Sequence, residues 1–202
     1  MRMLLTAFEP FDGTEWNSSL EGCRRFLDCW CGSLNVEFAV LPVAYDQDTP
    51  VVQAALRDMP ASAPPDLILH TGQAGGDRVR VELLAVNARY SYTPEPWGWG
   101  HRLIDPSCPA AISTTLPTDR IARSICAEGI PAEVSHHAGI YLCNHVFYRS
   151  LRRREVEAHP AHVGFLHMPR LREQCGDGEP WMERNSIARA IRAAICSVDS
   201  TV

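Results

Sequence analysis

The run DLILHT at residues 66–71 is a short, largely apolar segment that leads directly into the glycine-rich stretch GQAGG at residues 72–76. Such a run is expected for a strand that helices cover on both faces, which is the usual setting of a parallel sheet. Comparable runs recur along the whole chain. The predicted strands are residues 2–7, 36–43, 66–71, 79–86, 130–135 and 162–167.

Amphipathic stretches between these runs predict helices. Residues 181–197 place apolar side chains on one face. Residues 49–58 begin with Thr49 as a cap and Pro50 at the first helical position, and residues 118–128 are followed by Gly129, a residue typical of the position just past a helix end. The alternation predicts an α/β fold, a single-domain three-layer α/β/α sandwich around a mostly parallel twisted sheet. In such sheets functional residues gather at the carboxyl ends of the strands.

Residues 88–116 interrupt this alternation with several prolines and with Trp97 and Trp99. A loop of this length in a compact domain is typical of a lid or an assembly surface. No repeat or linker divides the chain. Residues 1–202 are therefore predicted to form one domain with an irregular lid or assembly loop at about 88–116.

The charged residues exclude several functional classes. The chain has 24 acidic and 19 basic residues, a net charge of −5, and every basic residue is arginine. The lack of lysine excludes Schiff-base enzymes and lysine-dependent phosphate loops. The acidic balance argues against nucleic acid as a partner. No run of eighteen apolar residues occurs, so no membrane span is predicted.

The eight cysteines are irregularly spaced, and the N-terminus lacks a signal-peptide pattern. These features predict reduced thiols and a cytoplasmic protein. Cys23, Cys29 and Cys31 lack zinc-site spacing, and the adjacent pair His136-His137 lacks a companion ligand motif. The stretch at 72–76 does not complete a nucleotide-binding motif. We therefore expect no metal and no cofactor.

Cys143 is the leading candidate nucleophile. It follows a glycine-containing turn and begins a helical pattern, and the positive end of a helix favours the reactive thiolate. A thiol nucleophile needs a base and a group that orients the base. His167 ends a predicted strand, and Glu82 is an acid inside an apolar run. His145 lies two residues after the thiol and would point away from it on a helix, so we reject it as the base.

Four motifs resemble those of the pyroglutamyl peptidase I family, also called pyrrolidone-carboxylate peptidases, a family of cysteine peptidases. The motifs are FEPFDG at 8–13, GQAGG at 72–76 followed by Glu82, SHHAGIYLCN at 135–144 and GFLHMP at 164–169. They occur in the family's order and near its spacing. The resemblance covers nearly the whole chain.

The resemblance implies removal of an N-terminal pyroglutamyl (5-oxoproline) residue from peptides through a thioester. Cys143 would be the nucleophile, His167 the acid and base, and Glu82 the partner of the imidazole. A mainly apolar pocket would hold the neutral lactam. Its substrate-binding residues would be Phe8, Phe11, Asn17, Gln73, Tyr141 and Leu142. Family members are often tetramers, so the resemblance implies a homo-oligomer.

Three positions depart from the family pattern. Ala7 and Asp12 stand where the family has glycine, and Tyr92 stands where it has an arginine that helps line the active site. These departures bear on substrate range and rate. Two alternatives therefore stay open: a glutaminase-like amide hydrolase, and a catalytically impaired homologue that binds a small cyclic amide. The glutaminase would need a pocket for a charged amino acid, which the aromatic N-terminal motif does not favour.

Overall fold

The computed structural model describes residues 2–45, 65–91, 100–156 and 161–199. The helix predicted at 49–58 lies outside the described residues, as do Tyr92, Trp97 and Trp99 of the predicted loop.

Ten strands and four helices are formed by the described residues. The strands are β1 (Arg2–Phe8), β2 (Asn35–Leu41), β3 (Leu67–Gln73), β4 (Val79–Glu82), β5 (Leu84–Val86), β6 (Arg89–Ser91), β7 (Gly100–Arg102), β8 (Ala111–Ser113), β9 (Ala132–Ser135) and β10 (His162–Met168). The helices are α1 (Ser18–Cys29), α2 (Thr118–Ala127), α3 (Leu142–Val156) and α4 (Arg184–Asp199), with a 3₁₀ turn at Arg172–Gln174.

The central sheet has six strands in the order β2-β1-β3-β10-β4-β9. Its first four strands are parallel to one another. Strand β4 runs antiparallel to β10, and β9 runs parallel to β4. The prediction of an α/β fold around a mostly parallel sheet is confirmed.

Helices pack on both faces of this sheet. Successive residues of β3, such as Ile68 and Leu69, enter different core clusters because strand side chains alternate between faces. The cluster around Leu69 receives apolar side chains from α1, α2 and α4. The cluster around Ile68 receives those of α3. The sheet is therefore the middle layer of three.

Helix α1, which has Gly22 on its buried face, is not among the predicted helices. The glycine has a packing reason. A Cβ at position 22 would overlap the Ile187 side chain of α4, so the glycine permits the close approach of the two helices.

One local prediction is wrong. The strand predicted at 79–86 breaks at Leu83, whose N–H donates to the Ser135 carbonyl while its own carbonyl accepts from Thr114 N–H. The chain thereby leaves the central sheet, and β5 pairs with β8 instead. The described part of the stretch at 88–116 contains the three-residue strands β6, β7 and β8, and its role as a lid or assembly surface stays a prediction.

None of the described helices has the length and apolar composition that crossing a membrane requires.

Candidate active site

Three neighbouring strands of the central sheet, β3, β10 and β4, present a group of residues on the face that α3 covers. The group consists of His70, Gly72, Phe165, His167 and Glu82. The parallel register pairs His167 with Gly72, and Phe165 with His70. The antiparallel register of β4 against β10 sets Glu82 beside Phe165 and diagonal to His167. Glu82 of β4 and His167 of β10 are therefore neighbours on one face of the sheet.

Glu82 and His167 form a buried hydrogen-bonded pair. His167 Nδ1 lies 2.7 Å from Glu82 Oε1, and the two side chains are 8% and 1% exposed. Because the carboxylate oxygen accepts, Nδ1 carries a proton and Nε2 is left to exchange protons with a reacting group. The second carboxylate oxygen, Glu82 Oε2, is buried and has no hydrogen-bond partner among the described residues. The Phe165 ring packs against the imidazole with ring centroids 4.7 Å apart.

Cys143 is the second residue of α3, as the sequence predicts. The turn before it contains Gly139, whose φ of 78° lies in the left-handed region that favours glycine. The first intrahelical bond runs from His145 N–H to the Tyr141 carbonyl. The thiol therefore lies in the first turn, where the helix dipole favours a thiolate.

The Cys143 sulfur lies over Gly72, the residue paired with His167 in the sheet. A Cβ built on Gly72 would be 2.7 Å from Cys143 Sγ and 2.9 Å from Phe165 Cζ. Only a hydrogen at position 72 leaves room for the sulfur. Since paired residues of neighbouring strands point to the same face, the thiol and the imidazole share one side of the sheet. Cys143 therefore lies on the same side of the sheet as the Glu82–His167 pair, next to the residue that is paired with His167.

A family model for pyroglutamyl peptidases matches residues 1–200 of the chain. The chain belongs to this family. The pyrrolidone-carboxylate peptidase of Clavibacter michiganensis is 36% identical over 199 residues, which are 96% of this chain and 90% of that protein. The enzyme of the same name from Yersinia pseudotuberculosis is 35% identical over 201 residues, covering 96% and 91%.

Solved structures of the pyroglutamyl peptidase family share the fold over nearly the whole chain. Pyrrolidone carboxyl peptidase from Pyrococcus furiosus is 31% identical, with a TM-score of 0.89 and coverage of 100% of this chain and 99% of that one. Pyroglutamyl peptidase I from Bacillus amyloliquefaciens is 30% identical, with a TM-score of 0.88 and coverage of 98% and 97%. These similarities do not favour the glutaminase or the impaired homologue.

Two of the substrate-binding residues expected for a pyroglutamyl peptidase line one cavity. Phe11 and Gln73 face a space of about 340 Å³ at the ends of β3 and β10, together with Asp12, Gly75 and Arg170. Gln73 Oε1 accepts a hydrogen bond from Ser18 N–H at 2.8 Å. Phe11 is 36% exposed, so its ring is open to a ligand.

Tyr141 lies immediately before α3 and is partly buried. Its ring packs edge-on against Tyr45, with centroids 5.7 Å apart. Together with Phe11 it is one of the two aromatic side chains from the expected set that keep some exposure.

Asn17 has a structural role in addition to the expected one. The side chain is 1% exposed and caps α1, with Oδ1 accepting from Ser19 N–H at 3.0 Å and Nδ2 donating to the Glu9 carbonyl at 3.1 Å. Phe8 and Leu142 are 3% and 2% exposed and belong to the core cluster under α3. The part of these three residues in substrate binding stays a prediction.

Three other titratable groups are buried outside the catalytic cluster. Burial lowers the pKa of His70 to about 3 and, together with the charges of Arg149 and Arg89, that of His145 to about 3. The His145 ring packs edge-on against Tyr45, in agreement with its rejection as the base. Burial raises the pKa of Cys23 to about 12, so this thiol is not a competing nucleophile at neutral pH.

Sequence reasoning gave no role to Gly72 or Asn144. Gly72 belongs to the GQAGG motif at 72–76, yet its closeness to the Cys143 sulfur depends on where α3 crosses the sheet. Asn144 follows Cys143 and is fully buried. The sequence shows an amide side chain next to Cys143. The main-chain carbonyls to which it donates, those of Ala88 and Val86, lie 56 and 58 residues away along the chain, so its role could not be predicted.

No cluster of three His, Cys, Asp or Glu side chains that could hold a metal ion occurs in the described part of the chain. Of the adjacent histidines, His137 accepts a hydrogen bond through Nδ1 from Gly139 N–H. This contact holds the turn that leads into α3.

Proposed function

We propose that this chain removes an N-terminal pyroglutamyl residue from peptides by thiol catalysis, with Cys143 as nucleophile, His167 as acid and base, and Glu82 as the partner of the imidazole. Membership of the pyroglutamyl peptidase family supports the activity. The observation that carries the assignment of roles is the 2.7 Å bond between Glu82 and His167, next to the glycine over which the Cys143 sulfur lies.

In the first half of the reaction, the thiolate of Cys143 attacks the carbonyl carbon of the pyroglutamyl residue. The carbonyl oxygen takes the negative charge of the tetrahedral intermediate. His167, protonated on both nitrogens, then gives the Nε2 proton to the departing amine as the C–N bond breaks. The shortened peptide leaves, and the pyroglutamyl group stays on the enzyme as a thioester.

In the second half, neutral His167 takes a proton from a water molecule that attacks the thioester. The C–S bond breaks, free pyroglutamate leaves, and the Cys143 thiolate and the imidazolium are restored. Glu82 stabilises the imidazolium in both halves and keeps Nε2 directed at the reacting atoms. A buried carboxylate with no competing partner from the described residues suits this task.

The backbone N–H of Cys143 is the donor that we assign to the oxyanion. N–H groups of a first helical turn point out of the helix N-terminus, where developing negative charge is stabilised. A single well-placed donor of this kind contributes about 3–4 kcal/mol to transition-state stabilisation.

Phe11, Tyr141 and Gln73 are the residues that we assign to lactam binding. The pyroglutamyl ring is flat and uncharged, so aromatic side chains provide most of its contact surface. Because Gln73 Oε1 already accepts from Ser18 N–H, the Nε2 group is the part of this amide that we assign to donate to the ligand. That donor suits a lactam carbonyl oxygen.

The same proposal covers the substrate, the assembly and the cellular location of the enzyme. The substrate partner is a peptide with an N-terminal pyroglutamate, and the resemblance implies a homo-oligomer, a tetramer. Light scattering at assay concentration measures the molar mass, and a monomer mass would contradict the assembly. We also propose a cytoplasmic location, because none of the eight cysteines, all in the described part of the chain, forms a disulfide. The irregular loop at about 88–116 stays a predicted lid or assembly surface.

The function is tested with Cys143→Ala in hydrolysis of a chromogenic pyroglutamyl-arylamide. We expect no turnover above the rate without enzyme. Cys126→Ala is the matched control, since it removes an exposed thiol from α2, and it should keep the wild-type rate. Turnover by Cys143→Ala would reject the nucleophile. Release of ammonia from glutamine by the wild-type protein, with the arylamide left intact, would support the glutaminase instead.

A further inference from the structure

Asn144 follows the proposed nucleophile and makes three hydrogen bonds with one short stretch of main chain. Its Oδ1 accepts from Val86 N–H at 2.8 Å. Its Nδ2 donates to the Val86 carbonyl at 2.8 Å and to the Ala88 carbonyl at 2.9 Å. The residue is 0% exposed. The amide therefore uses one acceptor and two donors on main-chain groups, none of which depends on a rotamer.

These bonds connect the two parts of the site. Val86 ends β5, which begins two residues after Glu82. The first turn of α3 is thereby fixed to the segment that continues from the carboxylate. A neighbouring bond from Tyr90 N–H to the Ile140 carbonyl, at 2.8 Å, holds the preceding turn to the same segment.

Three other hydrogen bonds that tie α3 to its surroundings lie further from the thiol. Tyr148 donates to the Pro109 carbonyl, Ser150 bonds to His70, and Arg154 donates to the Ala161 carbonyl. They begin five residues beyond Cys143, which is about 7.5 Å along a helix at 1.5 Å per residue. A side-chain tether in the first turn controls the position of the sulfur more directly than these do.

We propose that Asn144 is a positioning residue for the reaction: its amide fixes the first turn of α3 against residues 86–88 and so sets the place of the Cys143 sulfur relative to the Glu82–His167 pair. The inference rests on the proposed function. Consecutive helical residues project about 100° apart, so Asn144 holds the helix without entering the space of the sulfur.

The chemistry of the three bonds requires an amide. Asp has the same shape but lacks the donors for two carbonyls, and Ser offers a single donor on a shorter side chain. A displacement of about 1 Å at a reacting atom costs up to about 100-fold in rate. Loss of the tether should therefore appear in catalysis beyond its effect on folding.

The chain contains a matched control in Asn87. This residue is also buried, accepts from Asp105 N–H at 2.9 Å, and donates to the carbonyls of Asp105 and Cys108 at 2.6 and 3.1 Å. Asn87 also uses one acceptor and two donors on main-chain groups, and it lies between Val86 and Ala88, to which Asn144 is hydrogen-bonded. Its partners, however, belong to the loop at 105–108 and not to α3.

The experiment compares Asn144→Ala with Asn87→Ala in the full chain. We expect the two variants to lower the urea midpoint by similar amounts. At a temperature where both are folded, kcat on the pyroglutamyl-arylamide should fall about 10- to 100-fold in Asn144→Ala and less than about threefold in Asn87→Ala. KM should change much less than kcat, because the lactam-binding residues are untouched.

A second readout does not depend on turnover. Alkylation of Cys143 by iodoacetamide, followed by mass spectrometry of its peptide, gives the labelling rate as a function of pH. In Asn144→Ala the pH of half-maximal labelling should move upward, because the thiolate loses contact with the imidazolium. A residue with only a structural role would not move it, and Asn87→Ala should leave it in place.

Equal losses of kcat in the two variants, with unshifted labelling profiles, would overturn the inference. If Asn144→Ala does not fold, Asn144→Ser serves in its place, with a smaller loss of kcat that still exceeds that of Asn87→Ala. An inactive wild-type protein would instead count against the proposed function, and the labelling profiles would then decide the role of Asn144 by themselves.

Discussion

Gly72→Ala should separate activity from stability in this protein. The added methyl would lie 2.7 Å from Cys143 Sγ and 2.9 Å from Phe165 Cζ. Favourable contacts between such atoms are about 3.5–4.0 Å, so the sulfur must retreat by about 1 Å. A displacement of that size at a reacting atom costs about 100-fold in rate. We expect a loss of kcat of this order.

The effect of Gly72→Ala on folding should be small by comparison. Overpacking costs about 1–3 kcal/mol, while replacing glycine by alanine in a strand returns about 0.5–1 kcal/mol. The φ of Gly72 is not in the left-handed region, so alanine introduces no backbone strain. The free energy of unfolding should therefore fall by no more than about 2 kcal/mol.

The assay pairs arylamide hydrolysis with urea unfolding. Gly176→Ala is the control, since a Cβ at that position meets nothing within 4 Å. It should leave both measurements unchanged. A kcat of Gly72→Ala within about threefold of wild type would refute the placement of the sulfur over this glycine.

Three other predictions concern buried polar side chains. Glu82→Gln should lower kcat by about 10³- to 10⁴-fold with an unchanged circular dichroism spectrum, because the amide selects the wrong imidazole tautomer; a near-normal rate would make Glu82 structural. Asn17→Ala should lower the free energy of unfolding by about 1–2 kcal/mol through loss of the α1 cap, with KM within twofold of wild type; a large rise in KM would support the predicted part of Asn17 in substrate binding. Acidification should destabilise the protein through His70 and His145, whose pKa values of about 3 lie below the unfolded value of 6.5. The unfolded state binds more protons in that range, so stability is complete above pH 6.5 and falls as the pH drops towards 3. Each histidine should lower the free energy of unfolding by about 2 kcal/mol at pH 5 relative to pH 8, and a flat urea midpoint between these pH values would contradict the burial of both.

The sequence was sufficient for features that depend on local patterns. The run at 162–167 has the apolar character of a strand covered on both faces, and β10 spans His162–Met168 in the centre of the sheet. A glycine turn followed by a helical pattern was enough to place Cys143 in the first turn of α3. Burial on both faces and helix initiation each leave a signal within a few residues.

Features that depend on contacts between distant segments could not be read in this way. The break at Leu83 follows from hydrogen bonds to residues 114 and 135, and its own side chain resembles any other in an apolar run. Asn17 was expected at the substrate because it belongs to a motif, and its capping of α1 was not predicted. Membership of a motif indicates that a residue is important, but it does not indicate which neighbouring group the residue contacts.

The orientation of β4 explains why Glu82 lies away from the sheet edge at which functional residues were expected. Functional residues were expected at the carboxyl ends of parallel strands, and Gly72 and His167 do lie near the ends of β3 and β10. Strand β4 instead runs antiparallel to β10, so it enters the sheet at that edge and carries Glu82 inward, to a position diagonal to His167. Glu82 is the last residue of β4 before the chain leaves the sheet, and its carboxylate is buried. The chain that follows it leads to Val86, whose carbonyl accepts from Asn144. The antiparallel strand thus supplies what a strand end at the sheet edge would not: a carboxylate that meets the imidazole away from water and is tied through the main chain to the helix of the nucleophile.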